Sequence, residues 1–273
     1  MAELHEFKER FQFNPERAFY VGIERECFLT NCNGAIVPDA PRVLAHIRKH
    51  GWNTPLDEAD VGVDLERVVG HELSACQIET RTRPRLIGDV AAELHWQDRE
   101  LSRSLANLEL AALHSEVAPD SMPLDVYPDP TGRYARIVET MPREVLLAAC
   151  RVIGTHVHVG MPDHETALRV YNRVIEECDA LCQFGDNSSG ERLKIYKVVA
   201  PDAVPKPFGS WQSFFETAVE KGFVEDPRKC WTLIRISAHG TIEFRVFGAT
   251  ASIERIDSWA RRCHGLCLDA LRR

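Results

Sequence analysis

The stretch TLIRISAHGTIEFRVFG, residues 232–248, decides the fold. Two runs of alternating apolar and polar residues, TLIRISA (232–238) and GTIEFRVFG (240–248), are joined only by a tight SAHGT turn. That pattern predicts a β-hairpin. Three earlier runs alternate in the same way: AFYVGIERECFLT (18–30), SACQIETRT (74–82) and IGTHVHVG (153–160). Long helical patterns lie between these runs, so βαβ units are conceivable for them. The hairpin instead argues for an α+β domain, a curved and mainly antiparallel sheet with helices on its convex face.

Apolar residues at three- and four-residue spacing predict helices over 86–117, 142–152, 163–184, 210–221 and 252–271. Asp163 is the expected N-cap of the third, with Thr166 three residues on. The stretches 118–132 and 198–210, rich in proline and aspartate, read as long loops. No internal repeat, low-complexity tract or linker divides the chain, and residues 1–273 are expected to form a single catalytic domain.

The polar faces of the strands carry an unusual set of residues. Side chains alternate along a strand, so Glu24 and Glu26 share a face. So do Gln77, Glu79 and Arg81, with Glu72 just before their strand. His156 and His158 share the next, and Glu243 and Arg245 the last. A solvated sheet face explains the alternation, and a histidine pair on one strand is often an ordinary polar feature. It explains the identities less well. Five glutamates and two histidines on one surface repel one another and raise their own pKa values unless cations intervene. Carboxylates with an occasional imidazole suit Mg²⁺ or Mn²⁺ better than zinc. Two metals and an arginine on one surface describe a phosphoryl-transfer site.

Composition narrows the field. The chain has 273 residues, 44% hydrophobic and 27% charged, which is ordinary for a globular protein. A formal net charge of -8 argues against a nucleic-acid partner. Nine scattered cysteines without a CxxC favour reduced thiols and a cytoplasmic location over a disulfide framework. The charged N-terminus does not read as a signal peptide, and no run is long and apolar enough for a membrane span. Common nucleotide and zinc motifs are near misses. GDNSSGER (185–192) has P-loop glycine spacing but Glu191 where lysine is required. HELSA has Ala75 where a second histidine belongs, and no GxGxxG occurs.

Taken in order, GIERE, ELSACQIETRTRP, GTHVHVGMPD and GTIEFRVF resemble the second family of bacterial glutamate–cysteine ligases, which are carboxylate–amine ligases with a glutamine-synthetase-type catalytic fold. The resemblance runs from about residue 20 to about residue 250. The end, GTIEFRVFGATASIERIDSWARRC, is also similar to related amidoligases. The resemblance implies metal ligation by Glu24, Glu26, Glu72, Glu79, His156 and Glu243. It places His158 near the nucleotide phosphates and Arg245 opposite the transferred phosphate, with Glu243 and Arg245 as the catalytic pair. Gln77, Asn187, Arg192 and Lys194 are weaker candidates for substrate contact. The segment DNSSGERLKIYK departs from the family pattern of Asn-Ser-Pro followed by a glycine-rich basic loop, and the chain is shorter than expected of the family.

The implied activity is ATP-dependent joining of a glutamate-like carboxylate to an amine through an acyl phosphate, with ATP and Mg²⁺ (or Mn²⁺) as cofactors. Small carboxylates and amines are the expected partners, and a homo-oligomer is left open. A phosphotransferase on the same fold, a non-catalytic nucleotide- or metal-binding relative, and a metal-dependent hydrolase remain as alternatives.

Overall fold

A computed structural model describes residues 2–53 and 64–272 of the chain. Seven strands among them form one open sheet: β1 (Val21–Asn31), β2 (Val69–His71), β3 (Gln77–Arg81), β4 (Leu110–Leu113), β5 (Gly154–Gly160), β6 (Ile234–Ser237) and β7 (Thr241–Gly248). Their order is β2-β3-β1-β5-β7-β6, with β4 also on β1, and the named pairs are antiparallel. The sequence expectation of a mainly antiparallel sheet with helices is met.

β6 and β7 form the expected hairpin, with Ser237 opposite Thr241 and Arg235 opposite Glu243. Gly240 closes the turn at φ 70°, a left-handed conformation that side chains disfavour. A Cβ there would also stand 2.2 Å from the carbonyl oxygen of Gln12, because the N-terminal segment is pinned on the turn by the Gln12 N–H donating to Ala238 O.

The apolar face of the sheet is covered by α4 (Val90–Ala106), α7 (His164–Val174), α8 (Cys178–Gly185) and α11 (Ile253–Asp269). Ile23, Val157, Ile242 and Phe244 enter this core with Leu94, Val174 and Trp259. One charged residue shares the apolar side: Arg25 is buried and donates to Asp98 of α4 at 2.6 Å. Asp163 caps α7 as expected, accepting from the Thr166 N–H at 2.8 Å.

Several elements differ from expectation. The helix predicted over 86–117 ends at Ala106, and Leu110–Leu113 form β4, which pairs with β1 over Phe28–Asn31, beyond the stretch paired with β5. Alanine and leucine fit either state, and β1 offers unpaired backbone there. The helix predicted over 163–184 is broken by a 3-10 turn at Ile175–Glu177. The segment 191–199, for which the sequence reading gives no helix, is α9 (Glu191–Val199).

A bulge interrupts the β5–β7 ladder: Thr155 pairs with Phe247, but Val157 pairs with Phe244. β7 therefore holds one residue more than β5 across this interval. Phe244, Val246 and Phe247 all reach the core as a result, and Phe247 stacks on Trp259 with centroids 4.9 Å apart.

Candidate functional site

Register assembles the site. On the polar face, Glu26 lies opposite Glu79, and Glu24 lies between Arg81 and His156. In a third row, Gly22, His158, Glu243 and Arg235 face one another across β1, β5, β7 and β6. Seven of the residues expected from the sequence converge here. Glu24, Glu79 and His156 offer ligand atoms within 4.8 Å of one another; so do Glu24, His158 and Glu243; so do Glu26, Glu72 and Glu79. Glu24 and Glu79 each belong to two of these groups, so the three are contiguous.

The side chains are held from outside the cluster. Glu26 Oε2 accepts from the Gly154 N–H at 2.7 Å. Gly154 must lack a side chain, because a Cβ there would stand 2.5 Å from Arg192 Nη2 and 2.9 Å from Phe247 O. His156 Nδ1 lies 3.0 Å from Glu24 Oε2. His158 Nδ1 lies 2.8 Å from the Thr241 hydroxyl, while its Nε2 is buried without a hydrogen-bond partner. An imidazole anchored through one nitrogen with the other free toward carboxylates is the usual arrangement of a metal ligand.

Three arginines offset part of the negative charge. Arg235 grips Glu243 with two bonds, Nε to Oε2 at 2.7 Å and Nη2 to Oε1 at 3.0 Å, and Arg245 Nη1 adds a third to Oε1 at 2.6 Å. Oε1 thus accepts twice and Oε2 once, so the remaining acceptor capacity of this carboxylate is on Oε2. Arg81 pairs with Glu79.

Electrostatics divide the cluster in two. Burial works against ionisation of Glu243 and Glu24, yet Arg235 and His158 hold Glu243 well below the usual carboxylate range, and His158 with His156 does the same for Glu24. At the other end burial prevails. It pushes Glu79 up to about 7, helped by the Glu24 charge and opposed by Arg81. Burial and the charges of Glu79 and Glu26 push Glu72 well above its ordinary value. Glu26 is raised by burial despite the Gly154 N–H. A surplus of carboxylate therefore sits at the β3 end, where Arg81 pairs with Glu79 while Arg245 and Arg192 offset burial of Glu26 only in part. Oxygen-rich donors with one or two imidazoles fit a hard divalent cation, and each group supplies ligand atoms of that kind.

The four weaker candidates are placed differently. The buried Gln77 amide donates to Cys150 O at 2.8 Å. Arg192 is buried, its guanidinium donating to the carbonyls of Ile153, Val246 and Arg245. Asn187 binds the Glu116 carboxylate through its N–H and Ala249 O through its amide. Lys194 is exposed on α9. None of them hydrogen-bonds the cluster among the described residues. Backbone accepts what three of these side chains can donate, which a reading of residue types in a loop does not foresee.

Sequence reasoning overlooked Arg235. A signal was present: pairing Ser237 with Thr241 across the predicted turn sets Arg235 opposite Glu243.

Comparison with known proteins finds one family. The family model described as glutamate–cysteine ligase family 2 matches residues 20–181. A Rubrobacter xylanophilus protein provisionally named glutamate–cysteine ligase 2-1 is 25% identical over 275 residues, covering 93% of this chain and 65% of its own length. A Gloeobacter violaceus protein provisionally named glutamate–cysteine ligase 2 is 24% identical, covering 89% of this chain and 66% of its own length. The chain thus spans about two thirds of these relatives. The crystal structure of a bifunctional glutathione synthetase from Pasteurella multocida superposes with a TM-score of 0.53 at 13% identity, over 98% of this chain and 39% of that one, a likeness of fold.

Proposed function

Because the chain belongs to glutamate–cysteine ligase family 2, we propose that residues 1–273 act as one catalytic domain that joins a glutamate-like carboxylate to an amine at the expense of ATP. The observation that carries this reading is the convergence of Glu24, Glu26, Glu72, Glu79, His156, His158 and Glu243 into three contiguous groups with metal-ligand chemistry. These residues would hold Mg²⁺ or Mn²⁺, which would supply positive charge for the ATP phosphates.

The protein's own groups carry the rest. His158, anchored on Thr241, presents Nε2 to the face where Glu24 and Glu243 meet. Arg235 fixes the Glu243 carboxylate, leaving Oε2 with room for one more partner. Arg245, bonded to Glu243, would counter charge on the transferring phosphoryl group. The substrate carboxylate attacks the γ-phosphorus in line, and ADP leaves. The resulting acyl phosphate is then attacked by the amine, which forms the amide, releases phosphate and loses a proton. Activation is required because a carboxylate is a poor electrophile until one oxygen becomes a leaving group.

The test is a screen for ADP release over pairs of amino acids with Mg²⁺, followed by mass spectrometry of the products. Stoichiometric ADP, phosphate and an amide support the reading. ADP with a stable phosphorylated product and no amide replaces it with a phosphotransferase.

A further inference from the structure

We propose that Trp231 is the stacking platform for the base of the nucleotide, seated at the β6 edge of the polar face. The inference rests on the ATP-dependent reading and extends it to a residue outside the carboxylate cluster. Trp231 is 45% exposed, whereas Trp52, Trp96, Trp211 and Trp259 are buried. One side of its ring meets the Arg245 guanidinium, whose Cζ lies 5.6 Å from the ring centroid. That guanidinium also binds Glu243. A single side chain therefore separates the indole from a carboxylate of the cation-binding groups.

The platform is fixed before any ligand arrives. The Tyr196 hydroxyl donates to Trp231 O at 3.0 Å. Arg235 Nη1 donates to Arg228 O and Cys230 O, at 2.9 and 2.8 Å, which ties the segment before Trp231 to the same arginine that grips Glu243. An exposed aromatic ring on an immobilised segment loses little entropy on stacking. The guanidinium on its inner side adds attraction for a π-system.

Position selects the base over the other substrates. The cation-binding groups run from Glu79 on β3 to Glu243 on β7, and Trp231 precedes β6, at the end of the strand order. A nucleotide lying along that direction sets its phosphates at the carboxylates and its base on the indole. The β2–β3 end is left for the carboxylate and the amine.

The experiment measures two ligands with Mg²⁺ by calorimetry: a non-hydrolysable ATP analogue, and tripolyphosphate, which has phosphates and no base. Wild type is compared with Trp231→Ala and Trp231→Phe. Trp231→Ala is expected to bind the analogue about ten- to a hundredfold more weakly. It should bind tripolyphosphate as wild type does, and Trp231→Phe should stay within roughly threefold of wild type for both. The analogue should also quench the red-shifted tryptophan emission of wild type, and tripolyphosphate should not. Equal weakening of both ligands by Trp231→Ala would mean that the effect ran through Arg245, and would overturn the platform. Unchanged analogue affinity overturns it too, while leaving the ATP-dependent reading intact. Wild type that binds neither ligand overturns both.

Discussion

Glu243 and Arg245 stand two residues apart on one strand face and touch, yet their losses should differ in kind. Glu243 is a member of a proposed cation-binding group and is kept ionised by its arginines and His158. Glu243→Ala should weaken Mg·ATP binding itself, because an ion loses a charged ligand. Arg245→Lys keeps the charge but loses the planar fork that contacts oxygens in pairs. It should bind Mg·ATP nearly as wild type does and turn over up to about 10³-fold more slowly, since charge on the phosphoryl group is greatest in the transition state. Nucleotide affinity and ADP release measured side by side decide this, and near-wild-type turnover in Arg245→Lys removes the residue from the reaction. Glu26→Ala is a separate case. It deletes the carboxylate that the Gly154 N–H holds in the acid-rich end of the face. Mg²⁺-dependent nucleotide binding should be lost with the circular dichroism unchanged, and intact binding would exclude Glu26 as a ligand.

At the scale of elements, the β6–β7 hairpin sets one wall of the site, and its turn can be tested directly. Gly240→Ala forces a side chain into a left-handed conformation and against the Gln12 carbonyl. Roughly 1–3 kcal/mol of stability should be lost, read as a lower denaturant midpoint with an unchanged slope; an unchanged midpoint would show that the N-terminal segment yields freely. This hairpin was legible in the sequence because its alternation and turn are both local, and the same holds for β5 and for the Asp163 cap. The bulge in β7 was not. One extra residue leaves no mark in composition, and strict alternation sets Phe247 on the polar face, whereas the structure buries it on Trp259. β4 was hidden because LAAL suits a helix as well as a strand, and only the free stretch of β1 decides. The acidic and histidine ligand candidates other than Glu72 were legible because each lies on a two-residue alternation, whereas Glu72 stands between β2 and β3 and is reached only through the family resemblance. The fates of Gln77, Asn187 and Arg192 were not, because their partners are backbone carbonyls and a carboxylate distant in the chain.

For the whole molecule, the carboxylate surplus at the β3 end ties stability to both pH and metal. Glu79 titrates at about 7 in the folded protein, against an ordinary value of 4.5. The folded state therefore holds a proton that the unfolded state has released. Its contribution is fully present below pH 4.5 and is lost as pH rises through 7. Glu72, pushed up by burial and by Glu79, acts in the same direction, as does His158, which Glu24 and Glu243 raise against burial. His114 acts in the opposite sense: burial lowers it from 6.5 to about 4, so its contribution is present above 6.5 and is lost as pH falls through 4. Above pH 6.5 the histidines that burial depresses no longer contribute a slope, and the raised groups dominate. With a chelator, the melting temperature should therefore fall between pH 6.5 and about pH 8, by roughly 2–4 °C for each kcal/mol of lost stability. Excess Mg²⁺ should reverse the trend, because cations bind the deprotonated carboxylates of the folded state and stabilise it more as protons leave. Glu79→Gln should flatten the chelator curve and reduce the Mg²⁺ gain together. Thermal melts of both proteins across this range, with chelator and with Mg²⁺, check each part. Wild-type curves that rise in parallel under both conditions would mean that these carboxylates are not the groups that bind the ion.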